Sequence, residues 1–303
     1  MYGKINYSII IPHKNTLELL IRCLDSIPRR KDVQIIVIDD SSDKEIVDFE
    51  KLNIINSEYI KIVLLNEDKG AGYARNVGLT YSIGKWLVFA DSDDYFINGF
   101  FDYFDEYNDS GHDLIYFGIH GIDAETKEEN HIGKFYNDLL LEAIKKNQYE
   151  KYLYTNWNPW GKLISRKMVV ENDIRFDETY AANDKMFSLK AAYYAKNILL
   201  VKNKIYVYEL RNNSIIKQQS LSLNLDRFLV DINSNNFLRS IGKKNYRVKI
   251  LKRLVRLINI KDMAYFYKGI KHLKGNYIYL FTEIILYIIH VPCKIIKKLN
   301  LSK

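Results

Sequence analysis

Short apolar runs alternate with segments of helical periodicity through the first hundred residues of the chain. The apolar runs predict buried strands at residues 7–11, 33–38, 60–65 and 86–90. The intervening segments predict helices at residues 17–27, 43–51 and 72–83. Because each parallel strand needs a crossover to reach the next, this alternation predicts an α/β fold with a mostly parallel central sheet flanked by helices.

The alternation weakens after residue 110, where mixed α and β structure is expected, with a turn-rich stretch ending near Gly133. The patterns there predict strands near 114–117, 198–201 and 205–210 and helices near 139–146 and 182–195. The sequence becomes basic near Gly242, the one plausible boundary. We therefore divide the chain into residues 1–241 and 242–303.

Charge is unevenly distributed between these two parts. The net charge is +8, but residues 242–303 hold fifteen Lys or Arg against two acidic residues, a balance of +13. A composition of 48% hydrophobic and 27% charged residues is that of a folded globular protein and excludes a disordered or fibrous chain. Cys23 and Cys293 have neither disulfide-framework nor metal-ligand spacing, which favours a reducing cytoplasm.

Polar residues follow three of the predicted strands. His13, Lys14 and Asn15 follow the first, residues 39–42 (Asp-Asp-Ser-Ser) the second, and residues 91–94 (Asp-Ser-Asp-Asp) the fourth. Ligands of open α/β sheets collect at the carboxyl ends of strands. The three loops are therefore expected to converge on one binding crevice.

The acidic stretch at residues 91–94 predicts a divalent metal site. Side chains at i and i+2 of an extended chain share a face about 7 Å apart, so Asp91 and Asp93 can face one ligand. Crowded carboxylates repel each other unless a cation neutralises them. Mg²⁺ or Mn²⁺ held by one or two carboxylates and a diphosphate fits this pattern. The alternative is a helix cap and turn.

Residues 70–78 (Gly-Ala-Gly-Tyr-Ala-Arg-Asn-Val-Gly) form a second candidate for anion binding. Gly70 and Gly72 permit tight backbone geometry before a helix whose amino end favours anions. Arg75 can hydrogen-bond phosphate oxygens, although a surface salt bridge is an equal alternative for this residue alone.

Several motifs together resemble family 2 of the GT-A glycosyltransferases, the inverting bacterial enzymes of the type that builds O-antigen or capsular polysaccharide. The resemblance covers about residues 6–215. Its motifs are Ser-Ile-Ile-Ile-Pro at 8–12 with Asn15, Val-Ile-Asp-Asp-Ser-Ser at 37–42, residues 70–78, Phe-Ala-Asp-Ser-Asp-Asp at 89–94, Trp-Gly-Lys-Leu-Ile at 160–164, Phe-Asp-Glu at 176–178, Asn-Asp-Lys-Met-Phe at 183–187, and Tyr-Val-Tyr at 206–208 with Ser214. It implies a GT-A fold, with a nucleotide-binding half at 1–110 and an acceptor half at 111–241.

The resemblance also implies roles for individual residues. The donor's uracil, ribose and phosphates would meet Pro12, Asp39, Asp40, Arg75, Asp91 and Ser92. Asp93, with Asp91, would hold Mn²⁺ or Mg²⁺. Asp184 would be the general base, with a helix cap as the alternative interpretation. The chain departs from the family pattern at Lys14, where an aromatic residue is common, and at Asn183, where Glu is common.

Trp157 and Trp160, with the nearby Tyr152 and Tyr154, are candidates for an aromatic wall on which an acceptor sugar stacks, and Lys162 is a further acceptor candidate. A core cluster is an equal alternative.

The basic tail predicts an amphipathic helix over residues 243–274, with Val248, Leu251, Leu254, Val255 and Ile258 on one stripe. The apolar segment at 277–291 is shorter than a bilayer span and holds Glu283 and His290. We expect peripheral attachment to an anionic membrane, at the cytoplasmic face of the bacterial inner membrane. The alternative is a helix that covers the catalytic domain. Nucleic-acid binding is not expected, since no recognised motif accompanies the charge.

The family and the tail together predict transfer of glucose or galactose from a UDP-sugar to a glycan on a polyprenyl-diphosphate carrier. A catalytically inactive protein that binds sugar nucleotides or acts as a membrane scaffold is the alternative.

Overall fold

The computed structural model describes residues 4–48, 59–212, 214, 217–257, 263–273 and 281. The chain forms two compact units, residues 1–217 and 218–303. The boundary expected at Gly242 therefore falls inside the second unit, 24 residues after that unit begins.

The first unit is built on one eight-stranded sheet in the order β3-β2-β1-β4-β7-β6-β8-β5. The strands are β1 (Tyr7–His13), β2 (Val33–Asp39), β3 (Ile60–Leu64), β4 (Trp86–Phe89), β5 (Tyr95–Phe96), β6 (Leu114–Asp123), β7 (Lys162–Ser165) and β8 (Ile198–Leu210). β3, β2, β1 and β4 are mutually parallel, and β6 is parallel to β8. β7 is antiparallel to both β4 and β6, so β8 points in the same direction as β1.

The described helices of the first unit surround this sheet in chain order. They are α1 (Leu17–Asp25), α2 (Gly70–Tyr81), α3 (Phe100–Tyr107), α4 (His131–Lys146), α5 (Glu150–Leu153), α6 (Arg166–Glu171) and α7 (Lys185–Tyr194). α1 buries Leu17, Leu20, Cys23 and Leu24 along one stripe, as its periodicity predicts. Every residue of β1 is buried, as expected for a central parallel strand covered on both faces.

Several predicted elements differ in extent from the observed ones. α4 begins at His131 rather than near 139, because the side chain of Asn130 caps it by accepting from the N–H groups of Ile132 and Gly133. β6 continues to Asp123, into the stretch expected to be turns. The two strands predicted at 198–201 and 205–210 are one strand, β8, with an irregularity opposite Gly118.

The helix predicted at residues 43–51 is absent from its described part. Ile46 and Val47 both donate their N–H to the carbonyl of Asp43, which makes a single turn. Residues 49–51 lie outside the described residues.

The second unit contains α8 (Leu221–Ser240), a 3₁₀ turn at Lys244–Tyr246, α9 (Leu251–Val255) and α10 (Ala264–His272). Its core consists of Phe228, Ile232, Ile250, Leu254, Leu257 and Leu273. The single helix predicted over 243–274 is thus replaced, in the described residues, by short helices. Leu254 of its predicted apolar stripe is buried in this core, whereas Val255 is exposed.

The remaining predictions for the tail fall largely on residues that the structure does not describe. Ile258 and, apart from Phe281, the whole of 277–291 lie outside the described residues. Among the helices that are described, none has the length and apolar character needed to cross a membrane.

Candidate functional site

The loops that follow β1, β2 and β4 are joined by hydrogen bonds at one edge of the sheet. The N–H of Asn15 donates to the Oγ of Ser42 at 2.9 Å. The hydroxyls of Thr16 and Ser92 lie 3.2 Å apart and share a hydrogen bond. The structure therefore brings together the three polar loops that follow the strands in the sequence.

His13 and Asp39 form a buried pair at the ends of β1 and β2. The Nδ1 of His13 lies 2.7 Å from the Oδ2 of Asp39, and its Nε2 accepts from the N–H of Thr16 at 3.2 Å. Since Nε2 accepts a hydrogen bond, the N–H of the ring is at Nδ1 and donates a hydrogen bond to the carboxylate. His13 thus links the loop after β1 to the end of β2.

Asp39 also accepts from Ser42, from its N–H at 2.9 Å and its hydroxyl at 2.5 Å. Burial raises the pKa of Asp39, but the hydrogen bonds from His13 and Ser42 outweigh it and hold the pKa below its ordinary value. This carboxylate therefore stays ionised while bonded to groups of the protein itself.

Asp40 ties the end of β2 to the start of α2. Its Oδ1 accepts from the N–H of Lys69 at 3.0 Å and its Oδ2 from the N–H of Gly70 at 2.7 Å. Burial raises the pKa of Asp40 against these two hydrogen bonds. Pro12 is buried in β1 opposite Ile38. Asp39 and Asp40 thus hold the loops of the predicted donor site in place.

Arg75, on α2, connects the fourth-strand loop to the segment before α7. One guanidinium nitrogen lies 2.5 Å from the Oδ1 of Asp91, and another donates to the Oδ1 of Asn183 at 2.8 Å. The Nε of Arg75 is buried and has no hydrogen-bond partner. Asn183 offers an uncharged acceptor, so only Asp91 among these two partners neutralises the charge of Arg75.

Asp91 and Asp93, the two predicted metal ligands, are the more accessible carboxylates of the acidic stretch, with 29% and 38% of their side chains exposed. The Oδ2 of Asp93 lies 2.7 Å from a guanidinium nitrogen of Arg211. Desolvation first, and the charge of Asp91 second, raise the pKa of Asp93, and Arg211 opposes them. The two accessible carboxylates therefore repel each other, and each is paired with an arginine.

This arrangement fits a divalent cation that is shared with a ligand. The described residues contain no group of three or more His, Cys, Asp or Glu side chains that could hold a metal by themselves. Mg²⁺ and Mn²⁺ take hard oxygen ligands, and Mg²⁺ is commonly bound by one or two carboxylates together with substrate phosphates and water. Asp91 and Asp93 supply that partial set.

Asp94 points away from this position. It is buried, its Oδ2 accepts from the hydroxyl of Tyr206 at 3.0 Å, and its Oδ1 accepts from the N–H of Glu209 at 2.9 Å. The hydroxyl of Tyr206 in turn accepts from the N–H of Asp91 at 2.9 Å. Burial raises the pKa of Asp94 well above its ordinary value. Asp94 thus fixes the loop to β8.

An ion cluster at the end of β8 was not found from the sequence. Glu209 is buried and pairs with Arg211, with Arg22 at 2.9 Å and with Lys127 at 3.2 Å. Arg22 also donates to the backbone oxygen of Asp93 at 2.7 Å. Because β8 is parallel to β1, Arg211 lies at the carboxyl end of a strand, and the rule that located Asp91 could have located it too.

Asp184 occupies the N-cap position of α7, immediately before Lys185, but its side chain accepts no hydrogen bond from the helix N–H groups. Burial raises the pKa of Asp184, with Arg75 the largest opposing influence. Asp91 and Lys162 also act on this pKa, which places Asp184 near the carboxylate cluster. The side chain therefore makes no capping hydrogen bond, and its carboxylate lies within electrostatic reach of Arg75 and Asp91.

The three candidate acceptor residues have different environments. Trp160 is buried and stacks between Tyr206 and Tyr208, with ring centroids 5.6 and 5.3 Å away. It belongs to the core, so the prediction of an exposed stacking wall is wrong for this residue. Trp157 is half-buried, and the Nζ of Lys185 lies 4.0 Å from its ring centroid.

Lys162 is buried and does not face solvent. Its Nζ donates to the carbonyl of Asn156 at 3.3 Å and to that of Asn158. Burial lowers the pKa of Lys162 to about 7, and the charge of Asp184 opposes this effect. Lys162 therefore orders the loop that carries Trp157 and cannot bind an acceptor at the surface in this arrangement.

Residues 8–170, more than half of the chain, match the family Glycosyl transferase family 2. The chain belongs to this family. It is 25% identical over 232 residues to EpsH of Bacillus subtilis strain 168, covering 71% of this chain and 64% of EpsH. It is 26% identical over 213 residues to the poly(ribitol-phosphate) beta-N-acetylglucosaminyltransferase TarS of Staphylococcus aureus strain Mu50, covering 67% of this chain and 35% of TarS.

The crystal structure of TarS residues 1–349 in complex with UDP-GlcNAc has the same fold. It superposes with a TM-score of 0.64 at 20% identity, covering 88% of this chain and 79% of that one. The first unit is therefore a family 2 domain of the GT-A type, with a mixed sheet flanked by helices. The chain spans less than two thirds of the length of EpsH and about a third of TarS.

Proposed function

We propose that the chain is a metal-dependent, inverting glycosyltransferase. It transfers a hexose, glucose or galactose, from a UDP-sugar to a hydroxyl of a lipid-diphosphate-linked glycan during synthesis of a bacterial surface polysaccharide such as O-antigen or capsule. The observation that carries this proposal is the cluster at the carboxyl ends of the parallel strands, in which Arg75 binds Asp91 and both act electrostatically on Asp184, with Asp93 in the same loop as Asp91.

The donor end of the cleft suits a nucleoside diphosphate. The hydrogen bonds of Asp39 and Asp40 fix the ends of β1 and β2 beside the start of α2, and Arg75 of α2 places a positive charge beside Asp91. The crystal structures of TarS with UDP-GlcNAc and with UDP support a UDP-sugar as the donor class.

Asp91 and Asp93 would hold the metal in this proposal. A bound Mn²⁺ or Mg²⁺ supplies electrostatic stabilisation to the departing diphosphate, and no proton transfer to that group is needed. Arg75 keeps Asp91 in place through its 2.5 Å contact. Asp93 is the more exposed of the two carboxylates.

Asp184 is proposed to accept the proton of the attacking hydroxyl. Burial raises the pKa of Asp184, which makes its carboxylate a stronger base than that of an exposed aspartate. Attack from the face opposite the diphosphate inverts the anomeric configuration. Asn183 and Arg75 fix the segment that carries Asp184, because their side chains are joined at 2.8 Å.

The second unit is proposed to keep the enzyme on the cytoplasmic face of the inner membrane, where a lipid-linked acceptor is presented. Residues 242–303 carry a balance of +13. Basic residues near anionic headgroups contribute about 1 kcal/mol each to membrane binding. The names of relatives that act on teichoic acids support a cell-surface glycan as the acceptor class.

Purified protein incubated with Mn²⁺, a panel of nucleotide sugars and synthetic lipid-diphosphate acceptors tests the proposal, with product followed by mass. We expect transfer from a UDP-sugar that EDTA abolishes. Asp184→Asn should lower the rate about 10²- to 10⁴-fold, the usual contribution of a general base, while UDP binding is retained. Full-speed transfer in EDTA, or by Asp184→Asn, would refute the metal or the base respectively.

A further inference from the structure

Each of the two carboxylates proposed to hold the metal is bound by an arginine. Arg75 contacts the Oδ1 of Asp91 at 2.5 Å, and Arg211 contacts the Oδ2 of Asp93 at 2.7 Å. Two guanidinium groups therefore supply the positive charge that a bound divalent cation would otherwise supply to these carboxylates. A metal ion that binds Asp93 through Oδ2 must compete with Arg211 for this oxygen atom.

The two arginines differ in their freedom to move. Arg75 has 6% of its side chain exposed and is also bonded to Asn183, so it is fixed within the protein. Arg211 is 20% exposed and follows the last residue of β8. Of the two, Arg211 is the group that can turn without disturbing a helix.

The ion pair with Glu209 keeps Arg211 near Asp93 even when the other guanidinium nitrogen of Arg211 is not bonded to Asp93. One guanidinium nitrogen of Arg211 binds the Oε2 of Glu209 while the other binds Asp93. Glu209 is itself buried and held by Arg22 and Lys127, and its N–H donates to Asp94. The anchor therefore does not depend on the contact between Arg211 and Asp93.

We infer that Arg211 is an exchangeable counter-ion for Asp93, released to the diphosphate of the donor when the metal arrives with it. While the cleft holds neither, Arg211 neutralises Asp93 and disfavours binding of the metal alone. When a metal diphosphate enters, the cation takes the carboxylate oxygen. The freed guanidinium nitrogen of Arg211 then binds a phosphate oxygen, a strong pairing for a guanidinium.

This exchange couples metal and nucleotide. The metal gains a carboxylate only if Arg211 finds another anion, and the incoming diphosphate is that anion. By linkage, UDP should raise the affinity for Mn²⁺ and Mn²⁺ should raise the affinity for UDP by the same factor. The inference rests on the proposed function, because it requires the metal at Asp93.

The test measures Mn²⁺ affinity of the full chain from the electron paramagnetic resonance signal of free Mn²⁺, with and without UDP. Arg211→Gln removes the competing charge. It should tighten Mn²⁺ binding without UDP about tenfold, the equivalent of one charge-assisted hydrogen bond, and should weaken UDP binding in the presence of Mn²⁺. Arg211→Lys keeps the charge but cannot bridge two carboxylates, so its values should lie between those of the wild type and Arg211→Gln.

Lys127→Gln is the matched control, since it removes a cation from Glu209 without touching Asp93 and its side chain is exposed. Its Mn²⁺ affinity should equal that of the wild type. If Arg211→Gln binds Mn²⁺ no more tightly than Lys127→Gln while UDP still promotes Mn²⁺ binding in the wild type, the exchange is refuted and the metal site survives. If the wild type binds no Mn²⁺ even with UDP, the metal site and the exchange both fail.

Discussion

Gly72 lies against the backbone carbonyl of Asp177, so closely that a β-carbon at position 72 would overlap the oxygen atom of Asp177 and come within 2.8 Å of the Cβ of Asn183. This approach sets the distance between α2, which carries Arg75, and the segment that carries Asn183 and Asp184. α2 and the segment with Asn183 and Asp184 can approach each other this closely only because residue 72 has no side chain.

Gly72→Ala should therefore both destabilise the protein and weaken nucleotide binding. The added methyl group meets backbone atoms, which cannot rotate away, and overpacking of this kind costs about 1–3 kcal/mol. Thermal unfolding and calorimetric titration with UDP and Mn²⁺ measure the two effects. Thr80→Ala, at an exposed position of the same helix, should change neither by more than about 0.5 kcal/mol. Wild-type UDP affinity in Gly72→Ala would show that the approach does not position Arg75.

Arg75→Lys keeps the charge and removes the fork that joins Asp91 to Asn183. A lysine ammonium cannot hold both oxygen atoms in this geometry, so UDP affinity in the presence of Mn²⁺ should fall about tenfold or more. Isothermal titration calorimetry measures the change. Arg30→Lys is the control, because Arg30 pairs with Asp32 and Asp105 at the opposite end of β2. An equal loss in both variants would point to general destabilisation rather than to the cleft.

The parallel half of the sheet was predictable from the sequence because its strands are short apolar runs, although β3 is only partly buried. The four predicted strands match β1 to β4 within two residues at either end. It was also predictable that the loops after these strands lie close together, because the carboxyl ends of parallel strands share one edge of the sheet. Asp91 and Asp93 were found in this way, whereas Arg75 was found from the glycines of residues 70–78.

The position of Arg211 at a strand end was open to prediction, but its pairing with Asp93 was not. Arg211 and Asp93 are 118 residues apart, and their contact depends on β8 lying beside β6 in a parallel register. The apolar pattern of the sequence is interrupted where β8 is irregular, so the sequence predicts two short strands instead of one. Trp157 and Trp160 raise a similar difficulty, because only packing against Tyr206 and Tyr208 decides which ring is buried.

Asp177 predicts a pH dependence of stability. Its Oδ2 is buried without a hydrogen-bond partner, and burial raises its pKa from 3.8 to about 6. The folded protein therefore binds this proton more tightly than the unfolded chain, and stability falls as the pH rises from about 4 to about 6. The loss is at most about 3 kcal/mol above that window.

Asp177→Asn removes this ionisation, so its melting temperature should exceed that of the wild type at pH 8 and equal it near pH 4. Scanning calorimetry across this range measures the difference. Asp173→Asn, with 83% of the side chain of Asp173 exposed, is the control and should follow the wild type. A melting temperature of Asp177→Asn that stays below the wild type at pH 8 would mean that the charge itself is needed for folding.

Membrane attachment through the second unit should depend on its exposed charges rather than on its apolar residues. Deleting residues 243–303 cannot test this, because Ile250, Leu254 and Leu257 form the core around Phe228, which the deletion would uncover. The suitable change neutralises exposed lysines to Gln at Lys249, Lys252, Lys268 and Lys271. At about 1 kcal/mol for each residue near the headgroups, binding to anionic vesicles should weaken at least about a hundredfold.

The matched control neutralises four exposed lysines of the first unit, at Lys145, Lys146, Lys151 and Lys167. Sedimentation with phosphatidylglycerol vesicles at low and high salt measures both variants, and equal losses in the two would mean that net charge, not the second unit, directs the protein to the membrane.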